Sequence, residues 1–120
     1  MTKVPVGVLI SGSGTNLQAL IDACEHPDYP AKIAVVISNK RSAFGLERAK
    51  SAGIETAWLP ARPHPSREAH EAVITETLQQ HGVHWVACAG YMRVLSPKFI
   101  QSWPNRILNI HPSLLPAHAG

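Results

Sequence analysis

"VGVLISGSGTNLQALIDAC", residues 6–24, is the stretch on which the fold turns. Residues 6–11 are almost continuously apolar, Gly12 and Gly14 follow in a short polar turn, and Leu17, Leu20, Ile21 and Cys24 then recur at helical spacing. An apolar run too short for a helix and without alternation reads as a strand buried on both faces; the change to a 3.6-residue period marks a helix. The first unit is therefore strand, glycine turn, helix.

The unit repeats along the chain. "AKIAVVISN" (31–39) is a strand rich in β-branched residues, and "AFGLERAKSAG" (43–53) a helix stopped by Gly53. "IETAWL" (54–59) is a third strand, followed by the proline-spaced loop 60–65 and a helix over 66–82 with Ser66 as its cap. "HWVACAG" (84–90) is a fourth strand, "SPKFIQSW" (96–103) a short helix with Ser96 as cap and Pro97 at its first position, and "RILNI" (106–110) a fifth strand. Strands alternating with helices predict an α/β fold: a Rossmann-like doubly wound sheet, mostly parallel, with helices on both faces. The expected strand order is 3-2-1-4-5, and in such sheets ligands sit beyond the carboxyl ends of the strands where the order reverses. The segments leaving strands 1, 4 and 5 are "SGSGTN", "GYMRVLS" and "NIHPS". Every unusual polar residue then falls at one mouth.

Composition narrows the classes. A chain of 120 residues with 45% hydrophobic content is one ordinary globular domain. The net charge of +3 comes from Lys40, Arg41, Arg48, Lys50, Arg62, Arg67 and Arg93 among others, dispersed between acids, which describes a solvated surface with anion-binding positions rather than a nucleic-acid face. The apolar run at the N-terminus is too short to span a bilayer and no cleavage-site pattern follows it, so neither membrane insertion nor a targeting segment is expected. Cys24 and Cys88, far apart in sequence, read as reduced thiols in or near the core, which fits a cytoplasmic protein. "HGVH" (81–84) places a glycine and a helix end between its histidines, so no metal site is expected. No feature speaks to oligomeric state.

Each converging segment offers a chemistry and a plainer alternative. Gly12 and Gly14 let a ligand approach the backbone where a new helix presents free N–H groups to an anion, and Thr15 and Asn16 add side-chain donors; the alternative is a tight turn with no ligand. A dinucleotide is disfavoured, because Leu17 stands where a third glycine belongs and the second strand ends in "SNK" rather than an acid. Gly90 can bring backbone close to a ligand, Tyr91 and Met92 can wall an apolar slot, and Arg93 can hold a carboxylate or pair with a helix acid. Asn109 and His111 share one face of the last strand by alternation, and Pro112 then ends the pairing.

With "SGSGTNLQALIDAC", "SNKRSAFGLERAKSAGI", "SREAHE", "AGYMRVLSP" and "LNIHPSLLP" in view, the chain resembles the phosphoribosylglycinamide formyltransferases, a group of folate-dependent formyltransferases, along nearly its whole length. Among related families, methionyl-tRNA formyltransferases tend to carry glycine after the histidine and formyltetrahydrofolate deformylases "HHSFLP"; Pro112 together with "SGSGTN" favours the phosphoribosylglycinamide formyltransferases over both. The resemblance implies formyl transfer from 10-formyltetrahydrofolate, as cosubstrate and without a metal, to the amine of glycinamide ribonucleotide in purine synthesis. It implies phosphate binding by Gly14, Thr15 and Asn16, approach of Gly90 to the glycinamide, folate contacts from Arg67, Met92, Arg93, Val94, Leu95 and Asn109, and catalysis by Asn109 and His111. Small molecules, not nucleic acid or membrane, are then the partners. Residues 1–120 would be the N-terminal nucleotide-binding portion of a formyltransferase domain whose C-terminal portion is absent. Because the family's catalytic aspartate follows later than Gly120, this stretch alone would transfer little or nothing. The alternatives are another folate-dependent formyltransferase, a deformylase, or a phosphate-binding fragment without catalysis.

Overall fold

The computed structural model describes residues 2–110. Five strands alternate with four helices: β1 (Val4–Ile10), α1 (Thr15–Cys24), β2 (Ala31–Ser38), α2 (Phe44–Ser51), β3 (Thr56–Trp58), α3 (Arg67–Gln80), β4 (Trp85–Cys88), α4 (Pro97–Ser102) and β5 (Ile107–Asn109). The sheet runs β3-β2-β1-β4-β5 and every pairing is parallel, in the order expected from the sequence.

Val8, Leu9 and Ile10 on the central strand are wholly buried, which explains why that run does not alternate. Val8 and Ile10 pack with Val36 and Ala87 beneath Leu17, Leu20 and Ile21 of α1 and Leu46 and Ala49 of α2. Leu9, Val35, Ile37 and Val86 face the opposite way, beneath Ile74 and Leu78 of α3 and Phe99 of α4. Each fully buried aliphatic or aromatic side chain contributes about 1.5–3 kcal/mol, so neither layer is dispensable.

Three local features were not foreseen. Val6 pairs with Ile33 but Gly7 with Val35, so Ala34 is an extra residue in β2 and the strand changes face there. A side chain on Gly7 would meet Leu78 Cδ2 at 2.2 Å, so its absence lets α3 close onto β1. Pro5 lies inside β1, where a missing donor would ordinarily break a ladder. Pairing with β4 begins only at Val6, and the Pro5 carbonyl accepts from His84 N–H at 2.9 Å, so the missing donor falls beyond the end of that ladder.

Strand boundaries contract relative to the sequence reading. β3 covers three residues because Ile54 N–H turns back to the Ala49 carbonyl at 2.9 Å and closes α2. β4 ends at Cys88, freeing the next residues for the mouth. At the outer strand β5, Ile107 packs on the α3–α4 side and Ile110 on the α1–α2 side, whereas Leu108 is 46% exposed.

Candidate active site

Leu9 lies opposite Cys88, and Cys88 opposite Asn109, so the carboxyl ends of β1, β4 and β5 stand side by side. Ala89 N–H donates to the Leu9 carbonyl at 3.0 Å and Ile110 N–H to the Cys88 carbonyl at 3.1 Å, extending that alignment past the strand ends. The segments leaving β1 and β4 therefore start side by side with the end of β5, as the strand order requires.

In the turn after β1, Gly14 has φ +80°, the left-handed region that side-chain-bearing residues rarely adopt. A Cβ there would lie 2.6 Å from Gly45 Cα, so the turn and α2 meet backbone to backbone. Gly45 N–H donates to the Gly12 carbonyl at 3.1 Å, and Arg48 Nε–H to the Ser13 carbonyl at 2.8 Å. The first turn of α1 begins with Gln18 N–H donating to the Gly14 carbonyl at 2.7 Å, which leaves the N–H groups of Thr15, Asn16 and Leu17 without helical partners. No side chain caps this end, and no acid occupies the first turn. The positive end of the helix dipole therefore stays open, with Thr15 exposed and Asn16 half-buried beside it. Such an end is suited to receiving an anion.

The segment after β4 is built differently. Gly90, exposed and at φ +79°, bends the chain as it leaves β4. Tyr91 packs against the α3–α4 core, and burial pushes its phenol up to about 12, leaving a neutral, largely apolar surface. Met92 and Val94 are 74% and 75% exposed, Arg93 is exposed between them, and Leu95 is half-buried. Adjacent exposed apolar side chains beside a cation suit a flat ring system carrying a negative group.

Side chains from elsewhere hold this segment. The Ser11 hydroxyl donates to Asn39 Oδ1 at 2.7 Å and accepts from Met92 N–H at 2.8 Å, so it ties together the segments after β1, β2 and β4. The Glu71 carboxylate on α3 accepts from Ser96 N–H at 3.0 Å and from the Ser96 hydroxyl. Ser96 Oγ in turn accepts from Phe99 N–H at 3.2 Å, capping α4 as expected. Arg67 is exposed at the start of α3, one turn before Glu71 and on its side of the helix. Asn109 is exposed at the end of β5, whereas His111, its expected partner, lies outside the described residues.

Ser11, Asn39 and Glu71 were not picked out from the sequence. For Glu71 a signal existed: the spacing of 71, 74 and 78 places it on the same helical stripe as the core residues Ile74 and Leu78. An acid on that stripe requires a buried partner. For Ser11 no local signal exists, because its partners are 28 and 81 residues away.

Other chemistries find little support among the described residues. Both cysteines are free, and burial pushes each thiol up to about 11, so neither is poised as a nucleophile. No group of three or more His, Cys, Asp or Glu residues is placed to hold a metal ion. A cavity of about 280 Å³ opens between α3 and α4; Glu68, Glu71 and Glu76 line it with Lys98, and those acids oppose an anionic ligand. No described helix is long and apolar enough to cross a membrane.

A sequence model of the family described as formyl transferase matches residues 4–120. The chain belongs to the formyltransferase family. Phosphoribosylglycinamide formyltransferase of Haemophilus influenzae is 51% identical over 115 residues, 96% of this chain and 54% of that protein. The Escherichia coli protein of the same name is 49% identical over 113 residues, 94% of this chain and 53% of that protein. The chain thus spans about half the length of the curated relatives it matches. The crystal structure of phosphoribosylglycinamide formyltransferase from Brucella melitensis superposes with a TM-score of 0.88 at 44% identity, covering 99% of this chain and 62% of that one. The formyltransferase fold and the five-strand order found here accordingly belong together.

Proposed function

We propose that residues 1–120 are the N-terminal nucleotide-binding portion of a phosphoribosylglycinamide formyltransferase, which transfers a formyl group from 10-formyltetrahydrofolate to the amine of glycinamide ribonucleotide in purine biosynthesis. The observation that carries this reading is the meeting, at one mouth, of an open helix N-terminus, an exposed apolar segment and a primary amide. Relatives carrying that enzyme name at about half identity support it.

The substrate phosphate lies on the N–H groups of Gly14, Thr15 and Asn16, where the donors are fixed by the backbone. Gly90, without a side chain, leaves room for the glycinamide end. The pterin and its substituents rest on Met92 and Val94, with Leu95 and Asn109 alongside, while Arg93 and Arg67 supply positive charge for the folate's carboxylates. The substrate amine attacks the formyl carbon, forming a C–N bond as the carbonyl pair moves onto oxygen. Asn109 donates its amide N–H to that oxyanion and His111 a second hydrogen bond; each such donor lowers the barrier by about 2.7–4 kcal/mol. Collapse breaks the bond from carbon to the folate nitrogen. That nitrogen takes a proton from His111, and the proton shed by the incoming amine returns the imidazole to its starting state. The phosphate's own charge is met at the turn, a different part of the mouth from the reacting carbon. Free cysteine thiols and small-molecule substrates fit a cytoplasmic setting.

Steady-state assay of the intact protein with both substrates tests the reading. Saturable formation of formylated glycinamide ribonucleotide is expected. Release of formate without need for the nucleotide would instead make the protein a deformylase, and nucleotide binding with no product would make it a binding module.

A further inference from the structure

On the functional reading above, we propose that Ser11 and Glu71 are positioning residues of the formyl-donor site: they pin Met92 and Ser96, so that the exposed side chains between the pins form a wall for the folate before it arrives. Ser11 is 3% exposed and Glu71 5%, whereas Met92 and Val94 are about three-quarters exposed at 74% and 75%. The backbone of this segment is thus anchored to buried groups while its side chains stay in solvent.

The pins are chemically complete. A hydroxyl has one proton; Ser11 gives it to Asn39 Oδ1, so its lone pair is what receives Met92 N–H. At the far end, both oxygens of Glu71 are used, one by Ser96 N–H and one by the Ser96 hydroxyl. Capping of α4 requires only Ser96 Oγ on Phe99 N–H, so the cap alone does not explain a buried acid on α3. Burying two polar side chains is costly unless they are hydrogen-bonded, and the partners that offset the cost here lie on the segment after β4. What they fix is the path of residues 92–96. A segment held in its binding conformation has already lost the backbone freedom that a loose loop would surrender on binding, and affinity rises accordingly.

The test measures binding in the intact protein by calorimetry, alongside amide exchange by NMR. Ser11→Ala leaves Met92 N–H and Asn39 Oδ1 unpaired; the Kd for 10-formyltetrahydrofolate should rise about ten-fold and that for glycinamide ribonucleotide by less than about two-fold. Exchange at the Met92 amide should accelerate while the amides of Val8 and Val36 keep their wild-type protection. Ser11→Thr, which keeps the hydroxyl, should restore both. Glu71→Gln retains one acceptor oxygen and should give a smaller rise in the same Kd with faster exchange at Ser96; it decides the matter if Ser11→Ala does not fold. Equal losses for both ligands, or unchanged exchange at Met92 and Ser96, would overturn the proposal in favour of a purely structural role. A wild-type protein that binds the reduced folate but does not transfer its formyl group defeats the functional reading and leaves this test standing. Absence of folate binding defeats both.

Discussion

In the turn after β1, backbone meets backbone: Gly14 and Gly45 are in contact, Gly45 N–H bonds the Gly12 carbonyl, and the donors offered to a ligand are themselves main-chain N–H groups. In the segment after β4, buried side chains from distant elements hold the chain, and the surface offered is again side chain. Both face the same mouth. Main-chain donors are suited to an anion of fixed size, because truncating a side chain does not remove them. A broad apolar ring needs area, which side chains supply and which their anchors can adjust. The two regions should therefore fail in different ways.

The largest effect should come where neither region acts. Asn109→Ala in the intact protein should lower kcat about a hundred- to a thousand-fold while nucleotide affinity hardly changes, because its bond strengthens only as charge develops on the formyl oxygen. Steady-state kinetics beside calorimetry will show this, and a matching loss of nucleotide affinity would erase the division between turn and strand end.

Glycine substitution comes next. Gly14 and Gly90 share a left-handed φ, +80° and +79°, but a Cβ at Gly14 meets Gly45 Cα while one at Gly90 meets nothing within 4 Å. Gly14→Ala should cost about 3 kcal/mol in urea denaturation, strain and collision together, and Gly90→Ala about 1–2 kcal/mol from strain alone. Equal costs would mean that the turn is not held by close backbone contact.

Asn16→Ala should raise the nucleotide Kd about ten-fold with little change in melting temperature. If stability falls in step with affinity, Asn16 serves the helix and not the ligand.

The smallest effect concerns the support behind the second region. His70 is buried on α3, its Nε2–H donates to the Leu59 carbonyl at 2.7 Å, and Nδ1 has no partner among the described residues. Burial holds its pKa below the ordinary 6.5, with the backbone bond to Leu59 opposing and the charges of His64 and Arg93 adding to the depression. The unfolded chain therefore takes up the proton first as pH falls, so the stabilisation is full above the unfolded pKa of 6.5 and is lost progressively below it. Urea midpoints at about pH 7.5 and about pH 5.5 should show the decline, and His70→Gln should shrink it. An undiminished decline in that variant would assign the acid sensitivity to other groups.

The alternation of strands and helices, the α4 cap at Ser96 and the helix stop at Gly53 were legible because each follows from residues close in sequence: apolar period, cap chemistry, a glycine at a helix end. The glycine turn after β1 was legible for the same reason, since strand, glycine and helix start are contiguous. The grouping of the 90–95 segment and Asn109 with that turn needed one further step, the chirality and order of parallel crossovers, which are general properties of such sheets. Other features escaped. The extra residue at Ala34, the room that Gly7 leaves for Leu78, and the outward exposure of Leu108 depend on which element packs against which. Ser11 could not be told from any other turn serine, because its bonds run to Asn39 and Met92, residues that only the folded sheet brings beside it. Local sequence determines periodicity, caps and turns because these are set by neighbouring covalent geometry; the partners of a buried hydroxyl or carboxylate are set by long-range packing, and so only the tertiary structure decides what holds the wall of the mouth in place.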